Sequence, residues 1–453
     1  MEALAEKLQE LLSRQRWDEL KTFLSQKNPM DLAGVLPALP ATEYALFFRL
    51  LEKSKAVEVF ENLELEDQQK LLLGFRDEQV RDLVEHMSPD DRAYLLDELP
   101  ARVAKRLVQM LSPAERQATS LLLGYKEHTA GRIMTPEYIS LKTYLQVKEA
   151  FNKIRRIGLD KETVYYCYVI DEQRRLLGIV SLKDLVLADP EAKIGDIMHL
   201  DAVFVHTDDD QEDVVRQIKK YDLLAIPVVD REDRLVGIIT HDDIMDIMEE
   251  ETTEDIYRLG AVPVPEQSYF KARMFTVASH RVGWLLVLLL TNTLTGSIIM
   301  EQNVLLQSVV ALAAFVPLLI GSGGNIGSQT STVMVRGLAL REVTFQNAFK
   351  LLLREVGIGL ILGAFLGVMV VFWAHWLQGS WLVALAVGCS LVLISTMATF
   401  FGGLLPLIFV RLGIDPAVVS APFISTMVDV LGVFVYFKIA GWILSGGASA
   451  PPL

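Results

Sequence analysis

Residues 316–332 read VPLLIGSGGNIGSQTST, and this stretch decides how the rest of the chain is interpreted. An apolar run that ends at Ile320 passes directly into glycine, serine, threonine, asparagine and glutamine. Pro317 and the glycines predict that the backbone leaves the helix at membrane depth, which is tolerated only where it is buried in protein or lines a wet cavity. We therefore expect this segment to present amides and carbonyls to a polar substrate.

The charged residues divide the chain into two parts at Phe270. The 453 residues carry a net charge of −14, although 51% of them are hydrophobic. Residues 1–270 hold 52 acidic and 34 basic residues, a net of −18, whereas residues 271–453 hold five acidic and nine basic residues, a net of +4. This distribution predicts an acidic soluble half joined to a half embedded in the membrane.

Composition also excludes several classes of protein. An acidic half repels phosphate backbones, so nucleic acid is not expected as a partner. The two cysteines, Cys167 and Cys389, cannot form a disulfide framework. The first 17 residues, MEALAEKLQELLSRQRW, contain no uninterrupted apolar run, so we expect no signal peptide and a cytoplasmic acidic half.

Five apolar stretches in the second half are long enough to cross a bilayer. The fourth is interrupted by Gly402, Gly403 and Pro406. Lysine and arginine precede the first stretch and separate the second from the third and the fourth from the fifth, which predicts that these ends are cytoplasmic and that the C-terminus is outside. The predicted spans are residues 282–300, 304–320, 356–377, 381–410 and 417–444.

Asp429 is an acidic residue near the middle of the fifth predicted span. Such a carboxylate marks an ion path by default, because charge is costly in the bilayer. The alternative is a neutral carboxyl group packed against serine or threonine. Asn325, Gln329 and nearby hydroxyls add oxygen ligands without cysteine or histidine, which suits a hard divalent cation. A dimer would place two carboxylates on its axis, which matches the charge of a divalent cation. Mg²⁺ keeps its waters readily, so a hydrated ion could pass while touching few protein groups.

Residues 1–128 are predicted to be helical, because apolar positions recur at spacings of three and four. A short sequence of the kind that separates helices, such as MSPDD at 87–91 and LSPAE at 111–115, returns every 24 residues. Its copies begin at Leu39, Leu63, Met87 and Leu111. A fixed period of this size predicts stacked helix pairs, an α-solenoid. A plain helical bundle is the alternative.

Two segments within residues 129–245 repeat each other. Residues 177–185, LGIVSLKDL, align with residues 236–244, VGIITHDDI, and each follows a β-branched strand and a turn. The repeat resembles a tandem pair of CBS domains, at about 132–195 and 196–245, of α+β fold. The resemblance implies dimerisation and a cleft for an adenosyl ligand such as ATP, with Asp184 on the ribose and Tyr166 and Lys183 within reach.

Two observations keep the nucleotide interpretation open. Leu223 stands where an aromatic side chain would help to stack the adenine. Asp184 and Asp243 also occupy positions where a carboxylate would cap the following helix. The repeat therefore predicts either a nucleotide cleft or two capped helices.

Carboxylates are concentrated at residues 208–213 and 242–255. Spacings of three and four place Asp243, Asp246, Glu250 and Glu254 on one stripe of a predicted helix. Like charges at this spacing destabilise a helix, so we expect Mg²⁺ or Ca²⁺ to neutralise them. The alternative is an ordinary solvated acidic face.

The whole chain resembles the MgtE-type magnesium transporters, on PLLIGSGGNIGSQTST, VDVLG and TEDIYRLGA together with the helical and CBS regions. The resemblance implies a homodimeric, channel-like Mg²⁺ permease of the inner cell membrane, and no enzyme. The second and fifth spans of a transmembrane domain at 271–453 would form its pore, around Asp429. The implied pore-lining residues are Gly324, Asn325, Gln329 and Ala421.

The resemblance also implies gating by cytosolic Mg²⁺. Residues 246–270 match a plug helix, and Asp415 matches a residue that faces Asp255 across a bound ion. At high internal Mg²⁺ the bound ions would screen carboxylate repulsion, compact the cytosolic half and hold the plug shut. Besides Asp429, the implied ion ligands are Glu58, Asp90, Asp210, Glu212, Asp222, Asp243, Asp246, Glu251, Glu254, Asp255 and Asp415.

Two other classes of function are alternatives to a transporter. A membrane-anchored CBS-type sensor of Mg²⁺ or adenine nucleotide would need neither Asp429 nor the glycine-rich segment. A membrane enzyme is disfavoured, because the spans contain no HExxH or GxSxG motif. Two positions depart from the family pattern, Ala421 and Ile326, and we expect them to affect selectivity or conductance.

Overall fold

A computed structural model of the chain describes residues 2–14, 16–264, 273–418 and 421–444. Two compact units are formed by Met1–Glu250 and Glu251–Leu453. Parts of three predictions lie outside the described residues: the last part of the connecting helix at 265–270, the basic residue Lys271, and the C-terminal end at 445–453.

The first unit begins with consecutive short helices. Several begin with proline after a serine or asparagine; Asn28, for example, accepts a hydrogen bond from the Met30 amide at 2.9 Å. They are α1 Glu2–Ser13, α2 Trp17–Ser25, α3 Pro29–Val35, α4 Ala41–Leu50, α5 Lys53–Glu61, α6 Leu65–Gly74, α7 Asp77–Glu85, α8 Pro89–Glu98, α9 Ala101–Met110 and α10 Pro113–Leu123, with a 3₁₀ turn at Leu36–Ala38.

Most of these helices pack on the next but one. α1 contacts α3 as well as its neighbour α2, α2 contacts α4, and the same spacing joins α3 to α5, α4 to α6, α5 to α7, α7 to α9 and α8 to α10. A continuous core of leucine, valine and phenylalanine runs through the stack, with Phe47, Phe60 and Leu95 almost completely buried. Stacked helix pairs of this kind are the solenoid that the 24-residue period predicts.

The rest of the first unit contains two similar α+β lobes. The first comprises α11 Ala130–Ile133, β1 Ile139–Leu141, α12 Val147–Ile157, a 3₁₀ turn at Gly158–Asp160, β2 Tyr166–Ile170, β3 Leu176–Ser181 and α13 Leu182–Leu187. The second comprises α14 Ile194–Ile197, β4 Val205–His206, α15 Gln211–Tyr221, β5 Ala225–Val229, β6 Leu235–Thr240 and α16 His241–Leu259.

The two sheets have the same topology. In each, a parallel pair is followed by an antiparallel pair, in the orders β1-β2-β3 and β4-β5-β6. The register shifts after Val169 in the first sheet and after Val228 in the second, at corresponding positions of the repeat. The mixed sheets and the helical stack confirm the predicted fold class of the soluble half.

The lobes exchange short segments. The segment between α11 and β1 pairs with β6: the Thr135 amide donates to the Ile238 carbonyl at 2.8 Å, and the Thr135 carbonyl accepts from the Ile238 amide at 2.9 Å. The segment between α14 and β4 pairs with β3 in the same way, through His199 and Ile179. A Cβ on Gly178 would lie 2.5 Å from the His199 carbonyl oxygen, so this crossing requires glycine.

Five helices among the described residues are long and apolar enough to cross a membrane. They are α17 Met274–Glu301, α19 Val316–Ala339 together with the 3₁₀ segment Val310–Phe315 before it, α20 Ala348–Gln378, α21 Trp381–Arg411 and α22 Ala421–Leu444. The short helix α18 Asn303–Ser308 follows α17, and a 3₁₀ turn at Pro416–Val418 precedes α22.

The glycine-rich segment is helical, so the prediction of a broken backbone after Pro317 is wrong. α19 runs without interruption through residues 316–339, and the irregular part lies before it, at Val310–Phe315. The glycines allow neighbouring helices to approach closely: a Cβ on Gly402 would lie 2.6 Å from the Gly327 carbonyl oxygen. Small residues at membrane helix interfaces have this role.

Other helices also differ from their predicted bounds: α17 and α20 begin eight residues earlier than predicted, and α22 begins four residues later. α21 continues past Gly402 and Gly403, with the buried Pro406 inside it, because neighbouring helices can compensate for the lost backbone hydrogen bond. α16 begins at His241, before the predicted plug boundary at Asp246. It ends at Leu259, two residues before Ala261, which has a positive φ of 55°.

Candidate functional site

Asp429 lies on α22 with one carboxylate oxygen enclosed by α19. Its Oδ1 is buried and has no hydrogen-bond partner among the described residues. A Cβ on Gly324 would lie 2.4 Å from the Ser425 Oγ and 3.5 Å from the Asp429 Oδ1. The glycine therefore leaves space for two oxygen groups of α22 beside the α19 backbone. An unpaired hard oxygen in this position fits a divalent cation or its hydration water.

Asn325 and Gln329 lie on a different face of α19. Both are exposed, one helical turn apart, and the exposed residues Thr332 and Arg336 continue the same stripe. We call these four residues the α19 polar stripe. Polar side chains on a membrane helix are costly against lipid, so a stripe of this kind faces water or another protein surface. The structure thus brings Gly324 to Asp429, whereas Asn325 and Gln329 are exposed on the surface of α19.

The Ala421 carbonyl already has a partner. The Ser328 hydroxyl donates a hydrogen bond to it at 3.1 Å, joining α19 to α22. Ala421, Ser425 and Asp429 follow each other at intervals of four on α22, opposite Gly324 and Ser328, which are also four apart on α19. Sequence reasoning missed Ser328 and Ser425, although this shared spacing was available as a signal.

Ile326 does not line a polar path. Its side chain belongs to the apolar core of the membrane unit and is 7% exposed. Its position on α19 turns it toward the packed face, so an effect of Ile326 on selectivity or conductance would act through helix packing.

Arg258 connects two of the predicted ion ligands. Its guanidinium donates hydrogen bonds to the carboxylates of Glu254 and Asp415. The other oxygen of Asp415 accepts from the Ala417 amide at 2.8 Å and caps the 3₁₀ turn before α22. The partner of Asp415 in this structure is thus a guanidinium, where the family resemblance implies an ion shared with Asp255.

Burial raises the pKa of Asp255, although Arg258 and Arg336 oppose the shift by favouring the charged form. Glu251 lies one turn before Asp255 on α16. Glu254 and Asp415 are further carboxylates of the second unit, and Arg258 and Arg336 are positive charges that act on this group.

A second group of carboxylates lies between α8 and α16 within the first unit. The Asp90 Oδ1 is buried and has no hydrogen-bond partner among the residues described. Burial raises the pKa of Asp90 well above its usual range, and Asp243, Asp91 and Glu162 add repulsion. We call this group the α8–α16 cluster; it contains Asp90, Asp91, Glu162, Asp242, Asp243 and Asp246.

The other members of the α8–α16 cluster respond in the same direction. Burial raises the pKa of Asp243 to about 6, even though the Thr240 hydroxyl donates to its carboxylate at 2.5 Å. Burial also raises the pKa of Glu162 to about 7, with Asp243 as its strongest neighbour. Burial raises the pKa of Asp246 as well. Buried like charges therefore disfavour the ionised cluster, and a bound cation would relieve them.

The remaining predicted ligands are dispersed. Glu58 lies on α5, and Asp222 ends α15 with a positive φ of 53°. Asp210 caps α15 by accepting from the Glu212 amide at 2.9 Å, and the Glu212 carboxylate lies 3.4 Å from Arg216. In the described part of the chain, no three carboxylate, histidine or cysteine side chains converge to hold one ion.

Asp184 caps its own helix. Its carboxylate accepts from the Ser181 hydroxyl at 2.6 Å and the Ser181 amide at 3.0 Å, and the His199 Nε2 lies 3.2 Å away. Burial opposes the charged form, but the Ser181 hydrogen bonds and His199 outweigh it, so the pKa of Asp184 is lowered. Asp243 repeats the arrangement with Thr240. Helix capping by these two aspartates, predicted as the alternative to nucleotide binding, is therefore observed in both lobes.

The other predicted nucleotide residues differ in their surroundings. Lys183 is exposed beside Asp184, whereas Tyr166 is half-buried against Tyr168 and Ile170 of the sheet core. Leu223 packs into the core of the second lobe. The cleft therefore offers a cation and an aromatic ring, while the half-buried Leu223 provides an aliphatic side chain where an aromatic one would stack.

Family profiles match three parts of the chain. The profile described as the MgtE intracellular N domain matches residues 27–128, and the CBS domain matches residues 130–191 and 194–250. The profile described as a divalent cation transporter matches residues 316–439, which include Gly324, Ser425 and Asp429. The magnesium transporter MgtE of Thermus thermophilus is 40% identical over 447 residues, covering 98% of this chain and 99% of that protein. The chain belongs to the MgtE family of magnesium transporters.

Further relatives agree with this assignment. The magnesium transporter MgtE of Bacillus subtilis is 33% identical over 422 residues, covering 93% of each protein. A crystal structure of the cytosolic domain of the Mg²⁺ channel MgtE in complex with ATP matches 54% of this chain and 99% of its own, with a TM-score of 0.52 and 38% identity. The soluble part of a magnesium transporter matches 55% of this chain and 99% of its own, with a TM-score of 0.53 and 31% identity.

Membership of the MgtE family confirms the predicted family and favours transport over a membrane-anchored sensor. The chain is a multi-pass membrane protein whose N-terminal domains are cytosolic. The helical and CBS regions have the fold of the solved cytosolic domains.

Proposed function

We propose that this chain is a Mg²⁺-selective, channel-like transporter for magnesium uptake, with Asp429 as the carboxylate of its permeation path. The observation that carries the proposal is the Asp429 Oδ1, which is buried beside Gly324 without a hydrogen-bond partner among the described residues. A carboxylate at membrane depth is retained where it serves an ion. Oxygen ligands without cysteine or histidine suit Mg²⁺.

The α19 polar stripe supports a path between two copies of the chain. Its residues are exposed on a helix that is otherwise apolar enough to span the membrane. In a homodimer, α19 and α22 of both copies would enclose the path, lined by Gly324, Asn325, Gln329 and the Ala421 region. Two Asp429 carboxylates would then match the charge of one divalent cation, which keeps most of its water.

Cytosolic Mg²⁺ would regulate the transporter through carboxylates that repel each other. In the α8–α16 cluster, burial and like charge both oppose ionisation of Asp90, Asp243 and Glu162. A divalent cation that binds the compact form more tightly shifts the population toward it. Low internal Mg²⁺ would leave the repulsion in place and favour the conducting form. Glu58, Asp210, Glu212 and Asp222 would contribute to further sites of this kind.

A second regulatory position would involve Asp255 and Asp415, with Glu251 and Glu254 nearby on α16. In this structure the Arg258 guanidinium is hydrogen-bonded to the carboxylates of Asp415 and Glu254 and balances their charge. An entering Mg²⁺ would have to displace this guanidinium, so Arg258 and the ion compete for the same carboxylate oxygens.

ATP is a further proposed ligand, in the cleft with Tyr166, Lys183 and Asp184. Support comes from the solved MgtE cytosolic domain in complex with ATP, which is 38% identical to this chain. The ribose hydroxyls would approach the Asp184 carboxylate, which already accepts two hydrogen bonds from Ser181. We therefore expect nucleotide binding to leave that cap intact.

The basic residues of the membrane unit support an orientation with the C-terminus outside. Arg336 lies in the last turn of α19 and Arg411 in that of α21. Both would be cytoplasmic by the excess of positive charge on that side, which would put the C-terminal end of α22 outside.

The test is Mg²⁺-dependent growth of a Mg²⁺-auxotrophic host that expresses Asp429→Ala. We expect growth at low Mg²⁺ to be lost while the amount of protein in the membrane is unchanged. Glu301→Gln is the matched control, because Glu301 is a carboxylate at the end of α17. Normal growth with Asp429→Ala would overturn the assignment of the permeation path.

A further inference from the structure

Ser425 is the side chain closest to the space left by Gly324. It lies on α22 one turn before Asp429, and a Cβ on Gly324 would come within 2.4 Å of its Oγ. The side chain is half-buried, as is that of Asp429. A hydroxyl oxygen and a carboxylate oxygen therefore face the same bare stretch of α19 backbone.

We propose that Ser425 is a specificity-determining residue of the permeation path, whose hydroxyl accepts a hydrogen bond from a water molecule bound to the passing ion. The inference rests on the proposed role of Asp429. On this proposal, Ser425 makes the path favour Mg²⁺, which passes with its water, over Ca²⁺, which readily exchanges water for protein oxygens.

The chemistry of a hydrated ion explains why a neutral oxygen matters here. Waters bound to a cation direct their hydrogens outward, so the surrounding protein must offer acceptors. Backbone carbonyls within a helix are used by the helical ladder. The carbonyl of Ala421, in the first turn of α22, also accepts a hydrogen bond from the Ser328 hydroxyl at 3.1 Å. A serine hydroxyl can donate one hydrogen and still accept two.

Position distinguishes Ser425 from the next hydroxyl on the same helix. Thr426 is 6% exposed, and its hydroxyl donates to the Pro422 carbonyl at 2.9 Å. The Thr426 side chain also lines an apolar groove of about 260 Å³ between α17 and α22, away from Gly324. Thr426→Val is therefore a matched control that removes a hydroxyl without touching the face occupied by Asp429.

The experiment measures ion flux into liposomes that contain the full-length protein, with Mg²⁺ or Ca²⁺ as the only divalent cation. For Ser425→Ala we expect the Mg²⁺ concentration that gives half-maximal flux to rise ~3–10-fold, the effect of losing one hydrogen bond. The maximal Mg²⁺ flux should change less, and the ratio of Mg²⁺ to Ca²⁺ flux should fall. Ser425→Thr keeps the hydroxyl and should restore the ratio.

The controls separate this inference from the proposed function. If Asp429→Ala abolishes flux while Ser425→Ala keeps the concentration dependence and ion ratio of the unmodified protein, the inference about Ser425 is wrong and the permeation path stands. If Asp429→Ala conducts normally, the proposed path itself fails. Should Ser425→Ala not assemble, Ser425→Cys decides in the same way, because a thiol of similar shape is a poor acceptor.

Discussion

Arg258 forms an ion pair with Asp415, joining α16 to the segment between the fourth and fifth membrane helices. The same guanidinium also pairs with Glu254, one turn earlier on α16. Two carboxylates that the family resemblance assigns to ion binding are therefore neutralised by a residue of the chain itself. The positive charge of Arg258 and a divalent cation cannot both occupy these oxygens.

Replacing Arg258 with glutamine should strengthen inhibition by internal Mg²⁺. The pair is partly exposed, so we expect the half-inhibitory concentration to fall only ~2–5-fold, in keeping with the modest free energy of such pairs. Mg²⁺ flux from liposomes at varied internal Mg²⁺ measures this. Arg281→Gln removes an exposed charge elsewhere in the membrane unit and should have no effect. If internal Mg²⁺ inhibited Arg258→Gln more weakly than the unmodified protein, competition between Arg258 and Mg²⁺ for these carboxylates would be contradicted.

The α8–α16 cluster predicts a dependence of stability on pH. Because the pKa values of Asp243, about 6, and Glu162, about 7, are raised above their ordinary values, ionisation of these groups destabilises the folded state at higher pH. The penalty is present above pH 7 and is lost as the pH falls toward 5. In EDTA, the unfolding temperature of the cytosolic unit should therefore rise from pH 8 to pH 6.

Calorimetry of the full-length protein in detergent, with and without Mg²⁺, checks this pH dependence. Protons and Mg²⁺ relieve the same repulsion, so Mg²⁺ should stabilise the protein more at pH 8 than at pH 6. An equal effect of Mg²⁺ at both values would show that the ion acts elsewhere.

Asp90→Asn should mimic bound Mg²⁺ in part. The amide removes a buried charge that burial and Asp243 both disfavour. In EDTA at pH 8 we expect the unfolding temperature to rise by about 2–4 °C, corresponding to ~1 kcal/mol, and the further gain on adding Mg²⁺ to shrink. Asp31→Asn, at an exposed position of α3, is the control. An unchanged response to Mg²⁺ would remove Asp90 from the regulatory site.

Gly324→Ala should impair transport because its methyl group would collide with the Ser425 Oγ at 2.4 Å. Separating α19 from α22 by overpacking costs about 1–3 kcal/mol and moves Asp429 away from the α19 backbone. Gly321→Ala provides a close control, since a Cβ there meets nothing within 4 Å. Equal Mg²⁺ flux in the two variants would mean that close contact at Gly324 is unimportant.

Several features of the fold were predictable from local patterns. The 24-residue punctuation predicted stacked helices, because each repeat buries its apolar face only against its neighbours. The repeat of residues 177–185 at 236–244 predicted two equivalent lobes. The structure adds that both sheets have a register shift at the corresponding position, after Val169 and after Val228. What the repeat could not reveal was the exchange of segments between lobes at Thr135 and His199, since pairing across the lobes depends on their packing.

The candidate site was predictable only in part. The intramembrane position of Asp429 followed from the sequence, because a carboxylate within an apolar run is unusual and costly. The local rule that glycine and proline break helices gave the wrong conformation for residues 321–332. In the membrane, unsatisfied backbone groups cost more than glycine's low helix propensity, and the close neighbours at Gly323, Gly327 and Gly402 stabilise the helix.

The sequence by itself determined the division into an acidic half and an apolar half, the repeats, the membrane spans and the carboxylates available for an ion. These properties depend on composition and on spacing along the chain. Only the tertiary structure decided that Ser425 stands beside Asp429 at Gly324, and that Arg258 rather than an ion meets Asp415. Such contacts join residues about 100 or more positions apart, and their geometry comes from helix packing, which no local pattern encodes.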